Sequence, residues 1–188
     1  MGGRDAVSGA AAMSRRIDYY DDPAAPKANS LVPSVNVVVV NDAGEVLMIR
    51  RSDNDNWAVP GGAIDLGESM VEAAVRETRE ETGFVIGPAD LHLFALISEK
   101  AYEGQAHWLM FLFRCLRPIP GLPPDISEGR FGFFARKAVD ALPLPETDRT
   151  ALWPVYDSHR ERFVALRADC APGRPVRVVV EEITPAPA

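Results

Sequence analysis

The sequence predicts an α+β fold in which a mixed β-sheet lies between helices. Three observations support this prediction: β-branched and aromatic runs recur along the chain, turn-forming residues separate them, and two segments have a helical composition. With 188 residues, of which 47% are hydrophobic, the chain is long enough for one well-packed domain. We expect that domain over residues 31–184, after a mobile tail or arm over residues 1–30 that is rich in small residues, charges and proline.

Charge and cysteine usage narrow the possible functions. Lys and Arg number 20 against 27 Asp and Glu, so the formal net charge of -7 argues against stable binding to nucleic acid. No apolar run reaches the roughly 20 residues of a membrane span. Cys115 and Cys170 are far apart and lack a zinc-binding pattern, which is typical of a protein of the reducing cytoplasm. An acidic protein that acts on an anionic substrate needs local positive charge, which a divalent cation can supply.

Residues 32–51 predict a β-hairpin. A β-branched run is followed by the turn-forming sequence Asn-Asp-Ala-Gly at residues 41–44, and a second apolar run then ends in two arginines. Residues 57–62, Trp-Ala-Val-Pro-Gly-Gly, are typical of a short strand that ends in a turn favoured by glycine.

Residues 68–82 predict a helix, because strong helix formers fill this segment and Gly83 follows at the position where helices commonly end. A second helix is predicted over residues 154–166, with a proline in its first turn. The remaining apolar runs predict strands over residues 91–98, 107–116, 130–135 and 176–183. The last of these strands and the 1–30 segment are candidate surfaces for a homodimer.

The predicted helix at residues 68–82 has an acidic face. On a helical wheel, Glu77, Glu80 and Glu81 fall within an arc of about 100°, away from the apolar residues. Arg76 lies four residues from both Glu72 and Glu80 and can pair with either. A solvated face with weak ion pairs is one explanation. The other is a hydrated Mg²⁺, which prefers carboxylate oxygens and would relieve the repulsion between like charges one turn apart.

Residues 61–84, GGAIDLGESMVEAAVRETREETGF, resemble the box of the Nudix hydrolases. The matching positions are Gly62, Glu68, Arg76, Glu77, Glu80, Glu81, Gly83 and Phe84. The sequence departs from the family's pattern at Thr78, where an aliphatic residue is usual, although a β-branched Thr can pack there. The order of predicted strands resembles that of the family from about residue 33 to residue 166.

The resemblance implies the αβα sandwich of this family and a loop-helix-loop that binds Mg²⁺ or Mn²⁺. The residues that it implies as metal ligands are Gly62, through its carbonyl, Glu77, Glu80 and Glu81. It also implies that Glu68 and Arg76 orient those carboxylates, on which the affinity for the ion depends.

Members of the family often use a further acid, from a loop after the box, as a metal ligand or general base. Glu128 is our candidate because it lies in a loop just before an aromatic strand, and Glu99 and Glu103 are the alternatives. Glu77 or Glu128 would accept the proton of a water that attacks phosphorus. With Arg76, these two acids are the predicted catalytic residues.

The resemblance implies Mg²⁺-dependent hydrolysis of a diphosphate bond in a nucleotide-like substrate, which is an NTP, a modified NTP or a nucleoside diphosphate linked to another group. The alternative is a Nudix domain that binds or senses a nucleotide without cleaving it. Isomerisation of isoprenyl diphosphates on the same fold would need a reactive cysteine, and Cys115 lies in an apolar run.

Selectivity for the substrate must come from residues outside the box. The candidate substrate-binding residues are Arg50, Trp57 and Tyr102. Aromatic side chains can stack on a base, whereas packing in the core is the alternative explanation for each of them. The same two interpretations apply to Phe94, His107 and Trp108.

Overall fold

The computed structural model describes residues 31–102, 106–171 and 173–185, with the backbone alone at residues 101, 102 and 106. The predicted tail over residues 1–30, the Tyr102 side chain and Glu103 lie outside the described parts. The strands are β1 (Leu31–Val38), β2 (Val46–Arg51), β3 (Trp57–Ala58), β4 (Gly61–Ala63), β5 (Leu91–Tyr102), β6 (Ala106–Cys115), β7 (Gly129–Phe134), β8 (Val164–Asp169) and β9 (Arg177–Ile183). The helices are α1 (Met70–Thr82), α2 (Arg136–Val139) and α3 (Trp153–His159), with a 3₁₀ turn at Pro88–Asp90 and a π-helical turn at Asp148–Leu152.

The strands form two sheets. The larger has six strands in the order β4-β1-β6-β5-β8-β9, and the smaller has three in the order β3-β2-β7. The β1/β6 and β5/β8 pairs are parallel and the other pairs of the large sheet are antiparallel, so this sheet is mixed. The predicted α+β class with a mixed sheet is therefore confirmed, whereas the separate three-stranded sheet was not predicted.

Helices cover both faces of the large sheet. Successive side chains of a strand point to opposite faces, and β1 follows this rule. Val35 and Val37 pack in the cluster that contains Ala74 of α1, whereas Val38 packs in the cluster that contains Trp153 of α3. The sheet thus lies between α1 and α3. Within the described ranges, no helix combines the length and apolar composition that crossing a membrane requires.

The predicted hairpin over residues 32–51 is wrong beyond its turn. The Asn41 side chain accepts hydrogen bonds from the backbone of Ala43 and Glu45, at 3.0 and 2.9 Å, and the Leu47 N–H donates to the Val39 carbonyl at 2.9 Å. Beyond these contacts the two strands separate, since β1 pairs with β4 and β6 while β2 pairs with β3 and β7. Strand β1 buries residues on both faces, because it lies inside the large sheet, whose two faces are covered by α1 and α3.

The second predicted helix, over residues 154–166, is wrong in its C-terminal part. Helix α3 ends at His159, and residues 164–166 begin strand β8. This strand buries Val164, Leu166 and Ala168 at every second position and pairs in parallel with β5. A strand at the end, predicted over residues 176–183, is present as β9. It forms the sheet edge and exposes Val180 and Ile183, so a dimer through this edge stays a prediction.

Candidate active site

Helix α1 is closed at both ends by local signals. The Ser69 Oγ accepts the Glu72 N–H at 3.3 Å, and the Glu72 carboxylate accepts the Ser69 N–H at 2.8 Å, which is a capping box. Gly83 ends the helix in the left-handed conformation with φ 75° and donates to the Arg79 carbonyl. The helix therefore starts at Met70 rather than at residue 68, and Glu72 is used for capping rather than for pairing with Arg76.

The short strand β4 brings two carboxylates of α1 against its glycines. The Gly61 N–H donates to Glu81 Oε2 at 3.0 Å. A Cβ at Gly62 would lie 2.3 Å from Glu77 Oε1, so the Glu77 carboxylate occupies the space that a side chain at Gly62 would need. A Cβ at Gly61 would lie 2.1 Å from the Val35 carbonyl oxygen, because β4 runs close beside β1. Only glycine fits at these two positions without displacing a neighbour.

Arg76 ties the loop before α1 to the helix. Its guanidinium donates to both carboxylate oxygens of Glu68 at 2.9 Å, to Glu77 at 2.7 Å and to Glu80 at 3.2 Å. A further bond of 3.0 Å reaches the Ala63 carbonyl at the end of β4. The hydrogen bond to Glu68 is the largest of the effects that raise the pKa of Arg76 above its ordinary value. This planar fork fixes the Glu77 carboxylate beside Gly62.

Glu81 differs from its two predicted companions because it is buried. It lies three residues after Thr78 and seven after Ala74, on the packed side of α1, and it is 7% exposed. A solvated face, the first of the two explanations for these acidic residues, therefore does not apply to Glu81. Burial is the main cause that raises the pKa of Glu81 to about 7, and repulsion from Glu77 and Glu128 adds to it. The hydrogen bond from the Gly61 N–H acts in the opposite direction and lowers this pKa. Glu77 and Glu128 therefore lie close enough to Glu81 to influence its ionisation.

Two further charged residues lie close to this group. Glu128 is exposed in the loop before β7, near enough to Glu81 to influence its pKa, and its backbone carbonyl accepts the Ser52 N–H at 2.9 Å. Arg51, at the end of β2, pairs with Asp53 and also interacts with both Glu81 and Glu128. Arg51 was not among the predicted site residues.

A cleft of about 370 Å³ extends from the glycines of β4. Gly61, Gly62 and Arg51 line one end, and Trp108 and Asp148 line the other. The cleft therefore joins the turn that contacts Glu77 and Glu81 to a region with an aromatic side chain.

Arg50, Trp57 and Phe94, which were also predicted to bind substrate, do not line this cleft. Arg50 pairs with Asp55 in a separate hollow, which Arg51 also lines. Trp57 packs edge-on against Phe134, with ring centroids 4.8 Å apart, and Phe94 is fully buried. Packing in the core thus accounts for Phe94, and Trp57 is partly buried against the same core. The substrate-binding roles of Arg50, Trp57 and Tyr102 stay predictions.

The predicted metal ligands, Gly62, Glu77, Glu80 and Glu81, offer only oxygen atoms to an ion. In the parts of the chain that the structure describes, no three His, Cys, Asp or Glu side chains are arranged to hold an ion together. Arg76 donates hydrogen bonds to two of the predicted ligands, Glu77 and Glu80. The donor set nevertheless fits Mg²⁺ or Mn²⁺ chemically, because it consists of oxygens alone. Glu80 is 53% exposed and can turn away from Arg76.

Comparison with known proteins identifies the family. The NUDIX domain family model matches residues 30–158. The chain is 34% identical over 114 residues to the uncharacterized Nudix hydrolase YvcI of Bacillus subtilis (strain 168), covering 60% of this chain and 72% of that protein. It is 32% identical to a MutT-like protein of Streptomyces ambofaciens, covering 58% of this chain and 75% of that protein.

Other similarities are shorter or more distant. An RNA pyrophosphohydrolase of Halorhodospira halophila is 46% identical over 59 residues, which are 31% of this chain and only 32% of that protein. The crystal structure of a MutT protein from Bacillus halodurans superposes with a TM-score of 0.64 at 23% identity, covering 80% of this chain and 97% of that chain. This superposition supports the sandwich fold. The family match covers well over half of the sequence, and the chain belongs to the Nudix family.

Proposed function

We propose that this protein is a pyrophosphohydrolase that cleaves a diphosphate bond in a nucleotide-like substrate, with Mg²⁺ or Mn²⁺ as cofactor. The observation that carries the proposal is the contact of two carboxylates, Glu77 and Glu81, with the glycines of β4 at one end of the cleft. A diphosphate in that end of the cleft would lie beside carboxylate oxygens, the ligands through which Mg²⁺ is usually bound together with substrate phosphates.

The names of relatives support the reaction class. The Halorhodospira halophila protein and one from Ruthia magnifica are both RNA pyrophosphohydrolases, at 46% and 44% identity. Each of these matches covers about a third or less of the relative's length, so they support the class of bond that is cleaved rather than a particular substrate.

The proposed metal ligands are the Gly62 carbonyl, Glu77, Glu80 and Glu81. When bound, the ion would neutralise the diphosphate and lower the pKa of a coordinated water. Binding requires Glu80 to exchange its 3.2 Å contact with Arg76 for the ion, which its exposure on the helix surface permits. Arg76 would keep its two bonds to Glu68 and thereby hold Glu77 in position.

Proton transfer and phosphate binding are assigned to residues at the rim. Glu77 is engaged by Arg76, whereas Glu128 forms no ion pair within the described residues, so we assign Glu128 as the base that accepts the proton of the attacking water. Arg51 interacts with Glu81 and Glu128 and lines the cleft, and its guanidinium is suited to the oxygens of the departing phosphate.

The test is hydrolysis of a broad panel of nucleotides by the purified protein with Mg²⁺. We expect release of phosphate, pyrophosphate or a monophosphate from at least one member, and a loss of at least about a hundredfold in kcat/KM for Glu80→Gln. Glu182→Gln, an exposed residue of β9, is the matched control and is expected to keep the wild-type rate.

Equal rates for Glu80→Gln and the wild type would show that the metal assignment is wrong. Nucleotide binding without product release, with Mg²⁺ and with Mn²⁺, would instead support the non-catalytic alternative. A base other than Glu128 is indicated if Glu128→Gln retains the wild-type kcat at every pH.

A further inference from the structure

Strand β9 forms one edge of the large sheet. Among the strands that the structure describes, it pairs only with β8. Its seven residues, Arg177–Ile183, contain neither proline nor lysine, which commonly prevent the edge of a sheet from pairing with another chain. The opposite edge is β4, which is three residues long and contacts the carboxylates of α1. Strand β9 is therefore the edge of this sheet at which a further strand can be added.

One face of β9 is apolar and only partly covered. Val178 is partly buried, because it packs against the core cluster that contains Trp153. Val180 lies two residues further along the same face and is 50% exposed, and Ile183 near the end of the strand is 40% exposed. An edge strand with exposed apolar side chains is a surface on which another chain can pair.

The other face of β9 carries two opposite charges. Arg167 of β8, whose register partner is Val179, reaches the Glu181 carboxylate at 3.3 Å. The Glu181 side chain therefore lies on the same face as Val179, although Glu181 is the extra residue at an irregularity in the β8/β9 register. Arg177, two residues before Val179, lies on this face as well. A positive and a negative side chain thus lie two residues to either side of a central valine.

Antiparallel pairing of β9 with the β9 of a second copy allows few registers. In an antiparallel ladder, two opposite residues either exchange both backbone hydrogen bonds or exchange none. Two identical strands related by a two-fold axis satisfy this alternation only if one residue lies opposite its own counterpart. The possible registers are therefore distinguished by which residue of β9 lies at the centre.

The sequence of β9 is self-complementary when Val179 lies at the centre. Arg177 of each copy then faces Glu181 of the other, and Val178 faces Val180. Opposite charges and paired β-branched residues stabilise neighbouring strands when they lie directly across from each other. A centre at Val180 would instead place Glu181 against Val179, and a centre at Val178 would place Arg177 against Val179.

We propose that β9 is the interface of a homodimer in which two copies of the chain join their large sheets by antiparallel pairing centred on Val179. Val178 of each copy would cover the exposed Val180 of the other. Two strands of this length bury a small area, so we expect a dissociation constant in the micromolar range. No residue of β9 lines the cleft, so the inference goes beyond the proposed function and does not depend on it.

The test is sedimentation equilibrium of the full chain at increasing concentration. The wild type is expected to change from 20.5 kDa to twice that mass, with half conversion between about 1 and 100 µM. Arg177→Glu and Glu181→Arg each place like charges opposite each other at two symmetric positions, and each is expected to weaken self-association at least about tenfold. Lys137→Glu, an exposed residue of α2, makes the same change of charge as Arg177→Glu and is expected to dimerise like the wild type.

Mixing the two variants tests the register and shows that both are folded. In a dimer of one Arg177→Glu chain with one Glu181→Arg chain, opposite charges again face each other at both positions. We expect the equimolar mixture to dimerise at least about tenfold more tightly than either variant alone.

Three results would overturn the inference. They are a wild type that stays monomeric up to about 100 µM, single variants that dimerise like the wild type, and a mixture that associates no better than its components. A monomeric wild type would favour residues 1–30 of the same chain as the segment that covers the edge.

Discussion

At the scale of single residues, the site depends on two glycines whose missing side chains leave room for different neighbours. A Cβ at Gly62 meets the end of a flexible side chain, the Glu77 carboxylate at 2.3 Å, whereas a Cβ at Gly61 meets the backbone carbonyl of Val35 at 2.1 Å. The first clash is relieved by a side-chain movement and the second requires the strands to separate. A side chain at position 62 should therefore affect mainly activity, whereas a side chain at position 61 should affect mainly stability.

We therefore predict that Gly62→Ala impairs activity more than stability. Displacement of the Glu77 carboxylate by about 1 Å is expected to lower kcat/KM by about a hundredfold, while the thermal midpoint stays close to that of the wild type. Gly61→Ala is the matched variant and is expected to lower the midpoint by several degrees. Kinetics and thermal unfolding of both proteins measure the difference. A large loss of stability in Gly62→Ala would show that Glu77 cannot move as this geometry implies.

Single residues also show where prediction from the sequence ends. The box residues were identifiable because their spacing is local, and the structure brings Glu77 and Glu81 to the same turn. Arg50 was predicted instead of Arg51. Successive side chains of a strand point to opposite faces, and the sequence does not indicate which face carries the site. Asp148 gave no signal, since its position beside Glu99 depends on folding of segments about fifty residues apart.

At the scale of elements, helix α1 and the loop before it act as one unit. Arg76 joins them, because its guanidinium bonds to Glu68 in the loop, to Ala63 in β4 and to Glu77 and Glu80 in the helix. An ammonium group carries the same charge but cannot reach four partners in a plane. The shape of the guanidinium, rather than its charge, is therefore expected to matter.

We predict that Arg76→Lys lowers kcat/KM by about tenfold to a hundredfold, since the carboxylates lose their orientation. Arg79→Lys is the matched control because Arg79 is exposed on the same helix, and it is expected to keep the wild-type rate. Steady-state kinetics at saturating Mg²⁺ would distinguish the two variants. Equal rates in both would show that charge alone at position 76 is sufficient.

The sequence predicted some elements better than others, because some are determined by neighbouring residues and others by distant strand pairing. Helix α1 was predicted almost to its ends, because its helix formers and its closing Gly83 act within a few residues. The hairpin prediction was wrong because β1 pairs in the large sheet with β6, which lies about 75 residues later in the chain. Residues 164–166 were assigned to a helix for the same reason, since only the parallel pairing with β5 makes them a strand.

At the scale of the whole molecule, the fold buries two carboxyl groups, those of Glu81 and Asp148, in an environment that disfavours their charged forms. Burial is the largest of the effects that raise the pKa of both Glu81 and Asp148 to about 7. Neither residue contributes to packing as an apolar side chain would. Buried ionisable groups that lower the stability of the folded protein are common at sites where a ligand is bound.

The pH dependence of stability follows from the sign of these shifts. Between about pH 4 and pH 7, the native state retains a proton on Asp148 that the unfolded chain releases, because the pKa rises from 3.8 to about 7 on folding. The free energy of unfolding must therefore fall as the pH rises through this interval. Glu81 acts in the same direction over nearly the same range.

We predict that Asp148→Asn removes part of this dependence, since an amide does not ionise. The variant should match the wild type most closely near pH 4 and exceed it at pH 8 by at least about 2–4 °C in thermal midpoint, which corresponds to about 1 kcal/mol in a domain of this size. Asp42→Asn, in an exposed turn, should follow the wild type at every pH. Thermal unfolding from pH 4 to pH 8 measures all three proteins. A constant difference across that range would show that Asp148 ionises as an ordinary carboxyl group and that its burial is relieved by solvent.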